Sequence, residues 1–176
     1  MTFMQAWLYG FLHPLLAMDH LLAMIAVGLL SVQIGGRAVW SVPAAFVLTM
    51  AFGGLIALFG IELDTLIIEA PILWSGLLIA LAISFPRQMP TAAAMFFVAF
   101  FALFHGFAHV IEAPEQANIF TYIFGFLCAT SLMHLCGVGI GLITEFAGQS
   151  AQSLRSRAGA FMAGMAALAL WQSFQL

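Results

Sequence analysis

The sequence predicts an all-α, polytopic membrane protein with six transmembrane helices. Three observations carry this. First, 64% of the 176 residues are hydrophobic and only 6% are charged, against roughly 25% charged in soluble domains. Four basic and seven acidic side chains cannot cover a water-facing surface, and the mean hydropathy of +1.12 agrees. Second, six apolar stretches approach the ~20 helical residues that cross a hydrocarbon core of ~30 Å. Third, the charges between those stretches sort by sign.

The first stretch runs over about 4–32. Its leading residues, 1–12, carry no positive charge, and the run is too long for the apolar core of a cleavable signal, so it reads as a retained helix. The second, about 39–60, follows the turn signal Gly35-Gly36-Arg37. The third, about 69–86, follows Glu62 and Asp64. The fourth, about 91–112, is set off by Pro86-Arg87 and Pro90. The fifth, about 117–143, follows Pro114-Glu115, and the sixth, about 158–175, follows the polar segment from Gln149 to Arg157. In lipid each span must satisfy its own backbone hydrogen bonds, which makes these spans helices. A transmembrane barrel would show alternating segments of ~10 residues, and these runs are continuous. The length fits one integral membrane domain over 1–176.

Arg37, Arg87, Arg155 and Arg157 fall in alternate loops; Glu62, Asp64, Glu69 and Glu115 fall in the others. Positive loops stay cytoplasmic, so both termini are expected outside, in a multi-pass protein of the bacterial cytoplasmic (inner) membrane. With no lysine and four arginines, the chain lacks the cations that nucleic-acid binding needs. Cys128 and Cys136 lie in one apolar run and form no disulfide framework. Gly53-Gly54, Gly76, Gly137, Gly139 and Gly141 fall within spans, where small residues let helices pack closely.

Against this background the ionisable residues inside spans stand out, because a charged side chain at the bilayer centre costs roughly 2.5–3.5 kcal/mol. The first span reads His13-Pro14-Leu-Leu-Ala17-Met-Asp19-His20. On a continuous helix His13 and His20 share a face two turns apart, about 10.5 Å along the axis. Pro14 removes one backbone donor and should kink the helix. The fourth span reads Phe104-His105-Gly106-Phe-Ala-His109-Val-Ile-Glu112. His105, His109 and Glu112 form one stripe, able to offer three ligands to one divalent ion. With both termini outside, the two clusters share a depth in the outer half of the membrane. Met18, beside Asp19, is the one methionine placed to assist. His134, deeper on the fifth span, is either a further ligand on an inward path or a hydrogen-bonded packing residue.

Imidazole with carboxylate suits Ni, Co, Zn, Cu(II) or Fe(II) rather than Mg or Ca. A metal permease is the leading expectation, with His13, Asp19, His20, His105, His109 and Glu112 as its metal ligands. No resident cofactor is expected, since the ion is cargo, and no P-loop couples the chain to ATP. The rival class is an intramembrane zinc hydrolase, with Ser75, Ser84 or Ser131 as partners of the histidines. A bis-histidine haem protein ranks below both.

The first cluster resembles the HPxxGxDH signature of the HupE/UreJ nickel permeases, with Ala17 where that signature has glycine. Phe104 to Glu112 resembles the second histidine-rich segment of the same family. The resemblance spans essentially the whole chain. It implies uptake of Ni²⁺, or of Co²⁺ in some relatives, with His13, Asp19 and His20 as first-motif ligands. The arrangement also allows an inverted three-plus-three helix repeat, as in transporters that bind at a repeat interface.

Overall fold

The computed structural model describes residues 1–85, 89–146 and 150–173. Within them the chain forms seven helices and no strand: α1 (Phe3–Leu16), α2 (Met18–Ile34), α3 (Ala38–Ala57), α4 (Thr65–Ser84), α5 (Thr91–Ile111), α6 (Ile119–Glu145) and α7 (Ser150–Ser173). Helices α3 to α6 are each long and apolar enough to cross a membrane, and α1 with α2 meets the same test as a pair bent by 76°. Among the described residues α7 does not join them. Its opening turns carry Ser153, Arg155, Ser156 and Arg157, so the apolar run behind them, 158–171, falls short of a full span. Pro86, Arg87 and Gln149, used above to mark loops, lie outside the described residues.

Local chemistry explains the boundaries. Thr2 and Gln5 form a capping box at α1, each side chain accepting from the other's backbone N–H. Asp64 caps α4 by accepting from the N–H of Leu66 at 2.9 Å, and Asn118 caps α6 by accepting from that of Thr121 at 3.1 Å. The α2–α3 turn needs two left-handed residues in a row, supplied by Gly35 (φ 78°) and Gly36 (φ 57°). Because Asp64 starts α4 early, Glu69 lies inside that helix and not in the loop where its charge had placed it.

The first span also departs from expectation. It is not one helix over 4–32 with a kink at Pro14 but two helices that meet at Ala17. Pro14 sits in the last turn of α1, and the chain leaves the helix three residues later. Ala17 is extended (φ −87°, ψ 104°), an ordinary conformation for an L residue. Its N–H still donates to the His13 carbonyl at 3.3 Å, and its own carbonyl accepts from Leu21 at 2.9 Å, opening α2. The glycine of the resembled signature falls at this extended residue.

Helix packing rests on glycine. A Cβ on Gly106 of α5 would collide with the Met50 carbonyl of α3, and one on Gly53 with the Leu103 carbonyl. On the other side Gly125 of α6 abuts the Trp7 carbonyl of α1, while Gly137 abuts the Ile25 carbonyl of α2. The expected close packing therefore holds at Gly53 and Gly137, whereas Gly139 faces open space. The most extensive helix pairs are α3 with α5, α6 with both α1 and α2, and α4 with α7. Met24, Phe46, Met50, Tyr122 and Phe126 are fully buried where α2, α3 and α6 meet.

Candidate functional site

All five histidines of the chain lie in one row through the interior. Its open end is Glu112, the C-cap of α5, whose Oε2 accepts from His13 Nε2 at 2.9 Å. Their side chains are 46% and 29% exposed, which makes this end the mouth. The His13 ring stands edge-on to His109, with centroids 5.0 Å apart. His109 in turn meets His20 at 4.9 Å, and His20 meets His105 at 5.0 Å. Phe46 follows at 5.4 Å from His105, then His134 at 4.9 Å from Phe46. His20, His105, His109 and His134 are all buried.

The break at Ala17 sets this order. A straight helix would hold His13 and His20 about two turns apart on one face. With the chain bent, His13 and His20 both reach the single ring of His109, one from α1 and one from α2. On α5 the helix is continuous, so His105 and His109 sit one turn apart and Glu112 falls nearly a turn beyond.

One donor atom each from His13, His109 and Glu112 lies within 4.8 Å of the others. Ligand atoms about 2 Å from a shared transition ion lie roughly 3 Å apart, so the three side chains would have to draw together to close the set. His105 had been expected to join His109 and Glu112 on one ion. It instead sits a turn deeper, and its Nδ1–H donates to the Phe101 carbonyl at 3.0 Å. Neither ring nitrogen of His109 has a hydrogen-bond partner among the described residues. A neutral imidazole always carries one N–H, and a buried unsatisfied polar group costs roughly 1–3 kcal/mol. A water accepting from that N–H would relieve the penalty, and the other ring nitrogen is left with the lone pair a cation binds. Asp19 occupies the first turn of α2 beside His20; its side chain is outside the described residues. Met18, expected to assist, is 57% exposed.

Several lining residues were not singled out in the sequence. Tyr122 is buried with its ring 6.2 Å from His13, and Phe126 stacks on His109 at 4.8 Å. Thr130 Oγ1 donates to Met50 Sδ at 3.8 Å. A signal for them existed: Tyr122, Phe126, Thr130 and His134 recur every fourth residue along α6, and all four are buried.

These features define a class, a multi-pass helical membrane protein with a buried histidine row open at one end through a carboxylate. The chain belongs to the HupE / UreJ protein family, whose profile matches residues 2–170. It is 42% identical over 133 residues to Protein HupE of Rhizobium leguminosarum bv. viciae, an alignment covering 76% of this chain and 69% of that relative. No solved structure matches it.

Proposed function

We propose that this protein is a secondary permease that takes up a divalent transition metal ion, Ni²⁺ first and Co²⁺ second, across the bacterial inner membrane. The observation that carries the proposal is the continuity of nitrogen ligands from the exposed Glu112–His13 pair past His109 to His20 and His105. Under this reading an ion at the mouth exchanges water for Glu112, His13 and His109. It displaces the His13–Glu112 hydrogen bond; Nε2 gives its proton to water as Nδ1 takes one up, and the Nε2 lone pair becomes a ligand. The Glu112 carboxylate offsets part of the ion's charge, and Asp19 is assigned the same role beside His20. The ion then passes to His20 and His105, since imidazole favours Ni and Co over alkali and alkaline-earth ions.

The reading includes six spans in one domain, 1–176, with the bent α1–α2 pair as the first span and α7 as the last. Arg37, Arg155 and Arg157 would face the cytoplasm and Glu112 the outside. Helix pairing supports an inverted repeat: span 1 packs on span 5 as span 2 packs on span 4, and span 3 packs on span 6. The hydrolase alternative is not favoured. Ser75, Ser84 and Ser131 each donate to a carbonyl of their own helix, at 2.6, 2.9 and 2.8 Å.

The test is accumulation of nickel and cobalt in cells expressing His20→Ala or Asp19→Ala. Uptake should fall to background while membrane protein levels stay normal. Wild-type uptake by either variant at normal levels would remove that residue from the path.

A further inference from the structure

The row does not end at His105. Beyond it the Phe46 ring lies edge-on between two imidazoles, 5.4 Å from His105 and 4.9 Å from His134, and is itself fully buried. His134 Nδ1–H donates to the Met24 carbonyl of α2 at 2.7 Å. That bond fixes the tautomer: Nδ1 carries the proton and Nε2 is left as a lone-pair nitrogen. His134 Nε2 is buried and has no hydrogen-bond partner among the described residues. A histidine that donates one ring N–H to a backbone carbonyl and presents the other nitrogen bare is arranged as metal-ligating histidines are.

His134 also borders space. A cavity of ≈ 210 Å³ lies between the first turns of α3 and the middle of α6, lined by Val39, Trp40, Pro43, Ser131, His134 and Leu135 among others. It sits at the Arg37 end of α3, whereas the Glu112 mouth is at the far end of the row. The order is therefore mouth, four histidines, one aromatic ring, a fifth histidine, cavity.

We infer that His134 Nε2 is an inner ligand for the transported divalent ion, and that the Phe46 ring is the barrier dividing it from the outer histidines. This rests on the permease reading. Between His105 and His134 the ion meets no ligand while Phe46 stands across the gap, and it passes when the ring turns aside. Each move then exchanges one set of imidazole nitrogens for the next.

The rival account is structural, because His134 also ties α6 to α2 through Met24, and Gly28 packs on its carbonyl. His134→Asn separates the two accounts. The asparagine amide can take the place of Nδ1–H and donate to Met24, but it offers nothing where Nε2 was. The experiment pairs ⁶³Ni binding to purified protein in nanodiscs with ⁶³Ni uptake into cells. If wild type neither binds nor takes up nickel, the permease reading itself fails. If wild type does both, His134→Asn should bind nickel at the outer cluster as wild type does and lose at least about ten-fold in uptake, in the range seen when a metal site loses a supporting group. Uptake within about two-fold of wild type would overturn the inference, being smaller than such a loss.

Should His134→Asn fail to reach the membrane, a second variant decides. Phe46→Ala leaves the His134–Met24 bond in place and removes the ring: ⁶³Ni uptake should rise above wild type, and uptake unchanged or lower at normal protein levels would overturn the inference.

Discussion

The first span and α5 each carry two of the histidines, yet they present them differently. On α5 the helix is unbroken, so a spacing of four residues becomes one turn, and His105 and His109 follow directly from the sequence. In the first span the spacing of seven loses its helical meaning, because the chain leaves the helix at Ala17 and restarts at Met18. The break lets His13 and His20 approach one ring, His109, from two directions. A rigid helix thus supplies the centre of the site, and a broken one wraps it.

The contrast breaks most severely if α5 is moved. Gly106→Ala would push a methyl group into the Met50 backbone of α3, which cannot rotate away. Overpacking typically costs 1–3 kcal/mol and more against backbone, so a loss of about 3 kcal/mol is expected. A thermal melt of purified protein checks it, and an unshifted midpoint would mean that α3 and α5 separate easily. Glu112→Gln tests the mouth, where the two regions touch. The amide can still accept from His13 but carries no charge. Nickel uptake at low concentration should fall about ten-fold, the scale of a coupling energy near 1.4 kcal/mol, and recover partly at high nickel. Uptake unaffected at all concentrations would show that the carboxylate charge is idle. Pro14→Ala should have the smallest effect. It restores a backbone donor, but the extended residue is Ala17, so the break should persist and uptake should change by only about two-fold, on the order of 0.4 kcal/mol. A loss comparable to that of Glu112→Gln would place the origin of the break at the proline.

Much of the site was legible because the bilayer makes ionisable residues conspicuous. His13, His20, His105, His109 and Glu112 stood out by residue type alone, and the alternating loop charges put both motifs at one depth before any contact was known. What was not legible depends on tertiary packing. No local period says that Ala17 will be extended, since alanine is the best helix former and Pro14 pointed to a kink further upstream. The pairing of His13 with Glu112 follows from the bend. The same limit hid Phe46, one apolar residue among many on α3, although its ring separates two histidines. Tyr122, Phe126 and Thr130 were within reach through their fourfold spacing on α6. The early start of α4 was written in Asp64, whose capping role its charge obscured.

The restart at Met18 has one more consequence. A helix that begins partway along a span puts the positive end of its macrodipole there, about half a unit charge within the first turn. His20 lies in that first turn of α2. Any cation settling on His20 does so against this field. Asp19, assigned to offset charge there, lies in the same turn and works against that field, so a potassium or sodium ion is distinguished mainly by how little it gains from an imidazole nitrogen. A nickel or cobalt ion forms bonds strong enough to overcome the field. Under the permease reading, the break at Ala17 would then favour ions by the strength of their bonds to nitrogen rather than by charge alone.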